Sequence, residues 1–96
     1  MNNEQFDPII HAPNRLHICA ILAATAELEF KVLREKLQVS DSVLSKHLKS
    51  LQDANYVRLI KRTELGRPRT WLSLSPQGRK AYSGHLQALQ NIIGNV

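Results

Sequence analysis

The first half of the chain carries apolar residues at helical spacing. After an arm at residues 1–12, Pro13 suits the first turn of a helix that should run through residues 14–24. This helix is apolar on more than one face, which indicates burial on two sides, one against its own domain and one against a partner. A short extended segment is predicted at residues 27–30, and a short helix follows at about residues 31–37.

A third helix is predicted at residues 41–54, directly after a turn at Gln38 and Val39. Ser40 is a good N-cap, and Asp41 in the first turn suits the positive end of the helix dipole. The apolar positions of this helix fall on one face: Val43, Leu44, His47, Leu48 and Leu51. A short helix, a tight turn and an amphipathic helix in this order are typical of a helix-turn-helix.

Alternation replaces the helical pattern in the second half of the chain. Strands are predicted at residues 56–65 and 69–74, and residues 66–68 (Gly-Arg-Pro) have the chemistry of the turn between them. A Ser-Pro pair then starts a long helix at residues 76–93. The predicted fold is mostly α with a β-hairpin wing (α+β), a winged helix-turn-helix with a long C-terminal dimerisation helix, in one domain over residues 1–96.

Positive charge is concentrated in the predicted hairpin. The chain has 13 Lys and Arg against 8 Asp and Glu, for a net charge of +5, and between Arg58 and Arg69 the only acid is Glu64. The basic residues of this stretch are Arg58, Lys61, Arg62, Arg67 and Arg69. Such an excess favours phosphate-rich partners, nucleic acid first and an anionic membrane surface second. A composition with 43% apolar and 22% charged residues argues against a wholly disordered chain.

The third helix and the hairpin together predict a surface for double-stranded DNA. The polar helix face combines short hydroxyls, which allow close approach to bases and phosphates, with lysines, which neutralise phosphates or reach purine acceptors. Taken alone, this face could equally be a solvated surface, but a basic hairpin directly after it favours a wing that contacts the backbone or the minor groove. The residues expected at the DNA are Ser40, Ser42, Ser45, Lys46, Lys49 and Ser50 of the helix and Arg62, Arg67 and Arg69 of the wing, with Arg67 at its tip.

Several segments of the chain resemble one family of proteins in both order and spacing. They are residues 11–16 (HAPNRL), 30–33 (FKVL), 44–51 (LSKHLKSL), 55–57 (NYV), 66–71 (GRPRTW) and 74–79 (LSPQGR). Over about residues 10–89 the chain resembles a compact group of prokaryotic winged-helix transcriptional regulators related to the MarR and ArsR families. The resemblance implies a homodimer that binds operator DNA through the third helix and the wing. These regulators often have Gly where this chain has Asn55, and Asn tolerates the same left-handed backbone conformation.

The last helix carries a near-heptad apolar stripe that exceeds what a small domain needs to cover its own core. The residues expected at a homodimer interface are Leu86, Leu89, Ile93 and Val96 of this stripe, with Ile9 and Ile10 of the arm. A two-fold dimer would place two recognition helices about one DNA turn (roughly 34–36 Å) apart, so the operator should be an imperfect palindrome. The alternative is that the helix only caps its own domain. The resemblance also implies a small effector near the dimer junction, although no residue identifies one.

Other classes of function find little support in the residues. The single cysteine, Cys19, lies among apolar residues and is predicted to be buried, and one thiol cannot form an internal disulfide. The sequence has no signal peptide, no membrane span of about 20 apolar residues, no histidine spacing typical of metal sites and no pattern of a catalytic triad. We therefore expect a cytoplasmic regulator without a cofactor rather than an enzyme.

Two alternative functions would use the same fold. A winged helix can serve as a protein-interaction module without direct DNA binding. The same polar and basic surface could instead bind double-stranded RNA or a left-handed duplex. The basic wing and the helix face without an acid between Ser42 and Lys49 favour B-form DNA over both, so sequence-specific regulation of transcription is the leading prediction.

Overall fold

The computed structural model describes residues 5–94, within which five helices and three strands follow one another. The helices are α1 (Pro8–His11), α2 (Pro13–Ala23), α3 (Phe30–Leu37), α4 (Asp41–Asp53) and α5 (Pro76–Ile93). The strands are β1 (Leu28–Glu29), β2 (Val57–Glu64) and β3 (Arg67–Leu74), which form an antiparallel sheet in the order β1-β3-β2. The helix-turn-helix α3–α4, the wing β2–β3 and the long α5 confirm the predicted winged helix-turn-helix, an α+β fold.

Two short elements add to the predicted order. In the arm, the Asp7 carboxylate accepts hydrogen bonds from the N–H groups of Ile9 and Ile10 at 2.9 and 3.1 Å and so caps α1. Strand β1 lies in the segment predicted to be extended, residues 27–30, and its pairing of Leu28 with Leu72 makes the sheet three-stranded. The expectation of a two-stranded hairpin is therefore corrected, and α1 was not predicted because a helix of four residues is too short to show a period.

The turn of the hairpin lies at Leu65 and Gly66. Both residues have positive φ, 51° and 76°, as a type I′ turn requires. Arg67 already pairs with Glu64 as the last rung of the ladder. The predicted turn at residues 66–68 is therefore wrong, because strand pairing continues up to the two residues of the turn.

The core lies where the inner face of the sheet meets α2, α3 and α4. Its fully or nearly buried apolar side chains are Ile10, Ile18, Cys19, Leu22, Leu33, Leu44, Leu48, Leu51, Val57, Leu72 and Leu74. Burial raises the pKa of the Cys19 thiol to about 12, so the thiol is protonated at neutral pH. Cys19 therefore behaves as the small buried apolar residue that the sequence predicts.

A polar network ties the arm to α5 and to the start of β2. His85 on α5 is 0% exposed, and its Nδ1 accepts a hydrogen bond from the backbone N–H of Asp7 at 2.9 Å. The ring proton therefore lies on Nε2, which donates to Nδ1 of His11 at 3.1 Å. The Tyr56 hydroxyl donates to the Asp7 carboxylate at 2.6 Å, and this bond raises the pKa of Tyr56 to about 12.

Helix α5 begins against the junction between α4 and β2. The Ser75 hydroxyl accepts from the N–H of Gly78 at 2.9 Å and donates to the carbonyl of Asn55 at 2.6 Å. Asn55 adopts the left-handed conformation, with φ of 64°, that its residue type tolerates. A Cβ on Gly78 would lie 2.1 Å from the carbonyl oxygen of Tyr56, so only a glycine allows α5 to approach this backbone so closely.

Candidate nucleic-acid interface

Helix α4, the candidate recognition helix, is fixed by its apolar side and presents its polar side to solvent. Leu44, Leu48 and Leu51 are buried, as predicted. Val43 was expected on the same face but is 38% exposed, because it lies near the N-terminus of the helix and turns away from the core. The exposed half of the helix therefore offers methyl groups as well as hydroxyl and ammonium groups.

The four predicted serines fall into two groups. Ser42 and Ser45 are exposed on α4. The Ser40 hydroxyl accepts from the N–H of Val43 at 3.2 Å and caps the helix, as predicted. The Ser50 hydroxyl donates to the carbonyl of Lys46 at 3.4 Å, one turn earlier in the same helix. Ser40 and Ser50 thus bond the backbone of the helix, whereas Ser42 and Ser45 do not, although the Ser42 hydroxyl lies 3.2 Å from that of Ser40.

The two predicted lysines differ in their surroundings. Lys46 is exposed, and no acidic group within residues 5–94 forms an ion pair with it. The ammonium group of Lys49 lies 3.4 Å from the carboxylate of Asp53, with side-chain exposures of 77% and 66%. An ion pair that exposed contributes little to stability, so a phosphate can readily displace Asp53.

His47 and Arg34 fix the position of α4 from two sides. The Arg15 guanidinium lies 3.4 Å from Nδ1 of His47 and can only donate, so Nδ1 accepts and the ring is neutral with its proton on Nε2. Nε2 lies 3.3 Å from the side-chain amide nitrogen Nδ2 of Asn14. Exchanging the nitrogen and oxygen of this amide, two atoms of nearly equal size, would place the oxygen there as the acceptor of the Nε2 proton. Burial and the charge of Arg15 lower the pKa of His47. Arg34 of α3 donates to Asp41 at 2.7 Å and holds the N-terminus of α4.

The inner face of the wing continues the surface of α4. An open groove between α4 and β2 is lined by Ser45, Lys49 and Leu59, among others. Because side chains alternate along a strand, Lys61 and Thr63 lie on the same face of β2 as Leu59 and project farther from the core. Lys61 was not among the residues expected at the DNA, although strand alternation from the buried Val57 predicts its position on this face.

Two arginines on the outer face of the wing are engaged by acids from the β1 segment. Arg62 forms a bidentate pair with Glu27, at 2.7 and 2.9 Å, and its guanidinium lies 5.5 Å from the centre of the Trp71 ring. Arg69 donates to Glu29 at 3.3 Å. The hydrogen bond with Arg62 lowers the pKa of Glu27. Arg62 and Arg69, both expected at the DNA, are thus engaged in holding β1 and the wing together, a role that the sequence did not predict.

The tip of the wing differs from the expectation of an arginine at its end. Leu65 occupies the tip and is 98% exposed. Arg67 follows one residue after the turn and is also exposed, with no ion-pair partner among the described side chains. The indole N–H of Trp71 donates to Glu64 at 3.0 Å, which engages the single acid of the hairpin.

The residues predicted for a dimer interface differ in their exposure to solvent. Ile9 is 38% exposed, Leu86 is 39% exposed and Ile93 is 63% exposed, while Leu89 is half-buried. Ile10 is 0% exposed within its own chain and is not available to a partner, which corrects that expectation. Val96 lies outside the described residues.

No helix within residues 5–94 is long and apolar enough to cross a membrane. In the same part, no three side chains of His, Cys, Asp or Glu gather as the ligands of a metal ion would.

Comparison with known families gives one match that covers most of the chain. Residues 14–93 match the family described as the winged helix DNA-binding domain. An uncharacterized protein of Methanocaldococcus jannaschii is 30% identical over 88 residues, which cover 92% of this chain and 96% of that protein. Both matches include the helix-turn-helix and the wing.

Solved structures of transcriptional regulators share this fold. A transcriptional regulator homologue from Pyrococcus horikoshii OT3 has a TM-score of 0.85 at 24% identity, over 91% of this chain and 86% of that one. NadR, solved in complex with 4-hydroxyphenylacetate, has a TM-score of 0.70 at 23% identity, over 92% of this chain and 70% of NadR. A protein from Porphyromonas gingivalis W83 assigned to the MarR family has a TM-score of 0.71 at 20% identity, over 92% and 85% of the two chains. The predicted likeness to MarR-type winged-helix regulators is confirmed.

Proposed function

This chain belongs to the winged helix DNA-binding domain family, and on that basis we propose that it is a sequence-specific transcriptional regulator that acts as a homodimer on a palindromic operator. One observation carries the proposal. The polar side of α4 and the inner face of the wing lie beside each other, since Ser45, Lys49 and Leu59 line one groove and Lys61 follows Leu59 outward. A continuous surface of hydroxyl and ammonium groups on one side of the molecule suits a duplex with α4 in the major groove.

The side chains divide between base contacts and phosphate contacts. Ser42, Ser45 and Lys46, in the first half of α4, face the base edges, and the exposed methyl groups of Val43 suit the methyl group of thymine. Lys49 contacts a phosphate. Further contacts to the backbone come from Lys61 and Arg67 of the wing, while Ser40 and Ser50 border the surface with their hydroxyls already bonded. Arg62 and Arg69 are left out of this surface because of their ion pairs.

A selection of bound duplexes from random DNA, followed by titration, tests the proposal. We expect an imperfect palindrome and an affinity that falls steeply with salt, because each phosphate contact changes the slope of log K against log salt by about 0.9. The double variant Lys46→Ala, Lys49→Ala should lose binding to the selected site while it keeps its fold. Lys80→Ala, an exposed lysine on α5, is the matched control and should bind normally. Unchanged affinity of the double variant would refute the assignment of α4.

The homodimer rests on an apolar stripe of α5 that its own chain leaves uncovered. His85 and Ala88 are buried, whereas Ile92, on the same side of the helix one turn later, is 69% exposed. Ile93 and Leu86 are 63% and 39% exposed beside it. A second copy that packs against this stripe would bury these side chains, each worth about 1.5–3 kcal/mol when fully covered.

Sedimentation velocity tests the dimer. The wild-type chain should sediment as a dimer at micromolar concentration, and Ile92→Glu with Ile93→Glu should give a folded monomer, because a carboxylate is costly to bury in an apolar interface. Gln87→Glu adds a negative charge at an exposed position on the opposite side of α5 and should remain dimeric. A wild-type monomer at that concentration would refute the dimer.

The proposal extends to a small effector that binds between α2 and α5. An open groove of about 430 Å³ lies between α2 and α5, and it is lined mostly by apolar groups, among them those of Leu16, Ala20, Tyr82 and Leu86. Pockets for small molecules commonly have a volume of about 300–1,000 Å³, so the groove has the size of such a pocket. NadR, which shares the fold, was solved with 4-hydroxyphenylacetate bound. A thermal-shift screen with aromatic carboxylates tests whether such molecules raise the melting temperature, and Leu16→Trp, which would fill the groove, should abolish the shift.

The alternative functions make different predictions in the same binding assay. A protein-interaction module would bind no duplex DNA at any salt concentration. A reader of double-stranded RNA or of a left-handed duplex would release B-form DNA when the other duplex is added. We expect B-form DNA to compete best, because an α-helix can enter its major groove but not the deep and narrow major groove of A-form RNA.

A further inference from the structure

Leu65 is more exposed than any other large apolar side chain among the described residues. Its side chain is 98% exposed, and its backbone has a positive φ of 51°. A left-handed backbone is unfavourable for a leucine, and the first position of a type I′ turn prefers Asn, Asp or Gly. Neither packing nor turn geometry therefore accounts for a leucine at this position, which leaves contact with a partner as its role.

The position of Leu65 on the wing indicates which partner that is. Leu65 lies six positions along the chain from Leu59, whose side chain lines the groove beside α4. At about 3.3 Å per residue the tip reaches roughly 20 Å beyond that point. Half a turn of B-form DNA is about 17 Å, so the wing is long enough to reach the minor groove next to the major groove that holds α4.

The chemistry of the tip suits the minor groove. Arg67 is exposed directly after the turn, and the carboxylate of Glu64 is engaged by Trp71 at 3.0 Å. The tip thus presents an apolar side chain beside a guanidinium group. A two-residue turn is the narrowest end that a hairpin can have, and the minor groove is only about 6 Å wide.

We propose that Leu65 enters the minor groove and makes an apolar contact with the sugars and base edges there, while Arg67 contacts the adjacent phosphate. Leucine is one of the apolar residues that minor-groove proteins insert between base steps. The amino group of guanine projects into this groove, so the contact favours A·T pairs at the position of the wing. The inference rests on the proposed DNA-binding function and adds a specificity-determining residue to it.

Variants at the tip separate apolar contact from charge. Leu65→Asn fits the turn better than leucine and should unfold at the same or higher urea concentration, yet it should bind the selected duplex about tenfold more weakly, with an unchanged salt slope. Leu65→Met keeps an apolar side chain and should bind within about threefold of wild type. Arg67→Ala should lower the magnitude of the salt slope by about 0.9, because it removes a phosphate contact.

Modified DNA locates the contact. Replacing adenine by 2,6-diaminopurine at the wing position adds an amino group to the minor groove and should weaken binding of the wild-type chain several-fold, but hardly affect Leu65→Asn. Wild-type affinity of Leu65→Asn, or equal sensitivity of both proteins to diaminopurine, would overturn the inference while DNA binding itself stands. If the wild-type chain binds no duplex DNA, the proposed function fails first, and the two failures are thus distinguishable.

Discussion

Gly78→Ala should destabilise the fold even though it places a better helix former near the start of α5. In an ordinary helix this substitution stabilises by up to about 1 kcal/mol. Here the added methyl group would lie 2.1 Å from the carbonyl oxygen of Tyr56 and 2.9 Å from its carbonyl carbon. Both atoms belong to the backbone, so no side-chain rotation relieves the contact.

The cost of the contact outweighs the gain in helix propensity. The methyl group is closer to the oxygen than van der Waals contact allows by roughly 1 Å, so α5 must shift away from β2. Such a shift strains the hydrogen bond from the N–H of Ser75 to Tyr56, at 2.9 Å, and that from the Ser75 hydroxyl to Asn55, at 2.6 Å. Overpacking of this kind costs about 1–3 kcal/mol and often more against backbone. We expect a net loss of about 2 kcal/mol.

Urea unfolding followed by circular dichroism measures this loss. For a domain of this size, a loss of about 2 kcal/mol lowers the melting temperature by roughly 8–16 °C. Ser83→Ala, at an exposed position of the same helix, is the control for helix propensity and should change stability by less than about 0.5 kcal/mol. A Gly78→Ala protein as stable as wild type would refute the reasoning, since it would mean that α5 moves away from Tyr56 without loss.

Two further predictions concern the wing and the buried histidine. Arg62→Ala should leave the salt slope of DNA binding unchanged, because the Arg62 guanidinium is engaged on the outer face of the sheet. Lys61→Ala should reduce the magnitude of that slope by about 0.9. Equal effects of the two variants would contradict the assignment of Lys61, and not Arg62, to the DNA surface. Burial and the neighbouring His11 lower the pKa of His85 below its ordinary value of 6.5. The unfolded chain then binds the proton more tightly, so the free energy of unfolding, measured with urea between pH 5 and 8, should fall as the pH drops below about 6.5. His85→Gln should weaken this pH dependence, whereas a variant of the exposed His17, His17→Gln, should keep it. The reverse result would refute the assignment of the pH dependence to His85.

The sequence predicted the elements that have a clear period or clear end signals. The bounds of α4 and of β2 differ from the predicted ones by at most one residue at each end. A repeating apolar face extends over most of α4, whereas the inner face of β2 becomes polar after Leu59 and the strand is bounded by Asn55 and Gly66 instead. The helix α1 depends on one capping carboxylate, that of Asp7, and a single capping residue leaves no periodic signal. The turn was misplaced because Gly66 and Pro68 are turn-favouring residue types, while the backbone places the turn at Leu65 and Gly66.

The polar surface was predicted less well than the fold, for a physical reason. Charges were counted along the chain, but the acids that engage Arg62 and Arg69 lie 35 and 40 residues earlier in the sequence. Only the pairing of β1 with β3 brings those acids to the outer face of the wing. A count of charges within the hairpin therefore overstated how basic that face is.

This pairing engages two arginines of the wing, Arg62 and Arg69, with acids of the β1 segment. By the strand register, Arg58 and Arg67 lie on the same outer face, and neither has an ion-pair partner among the described residues. Lys61 lies on the inner face, beside α4. The charge that the wing can offer to phosphates is therefore that of Arg58, Lys61 and Arg67 rather than the whole charge counted along the hairpin.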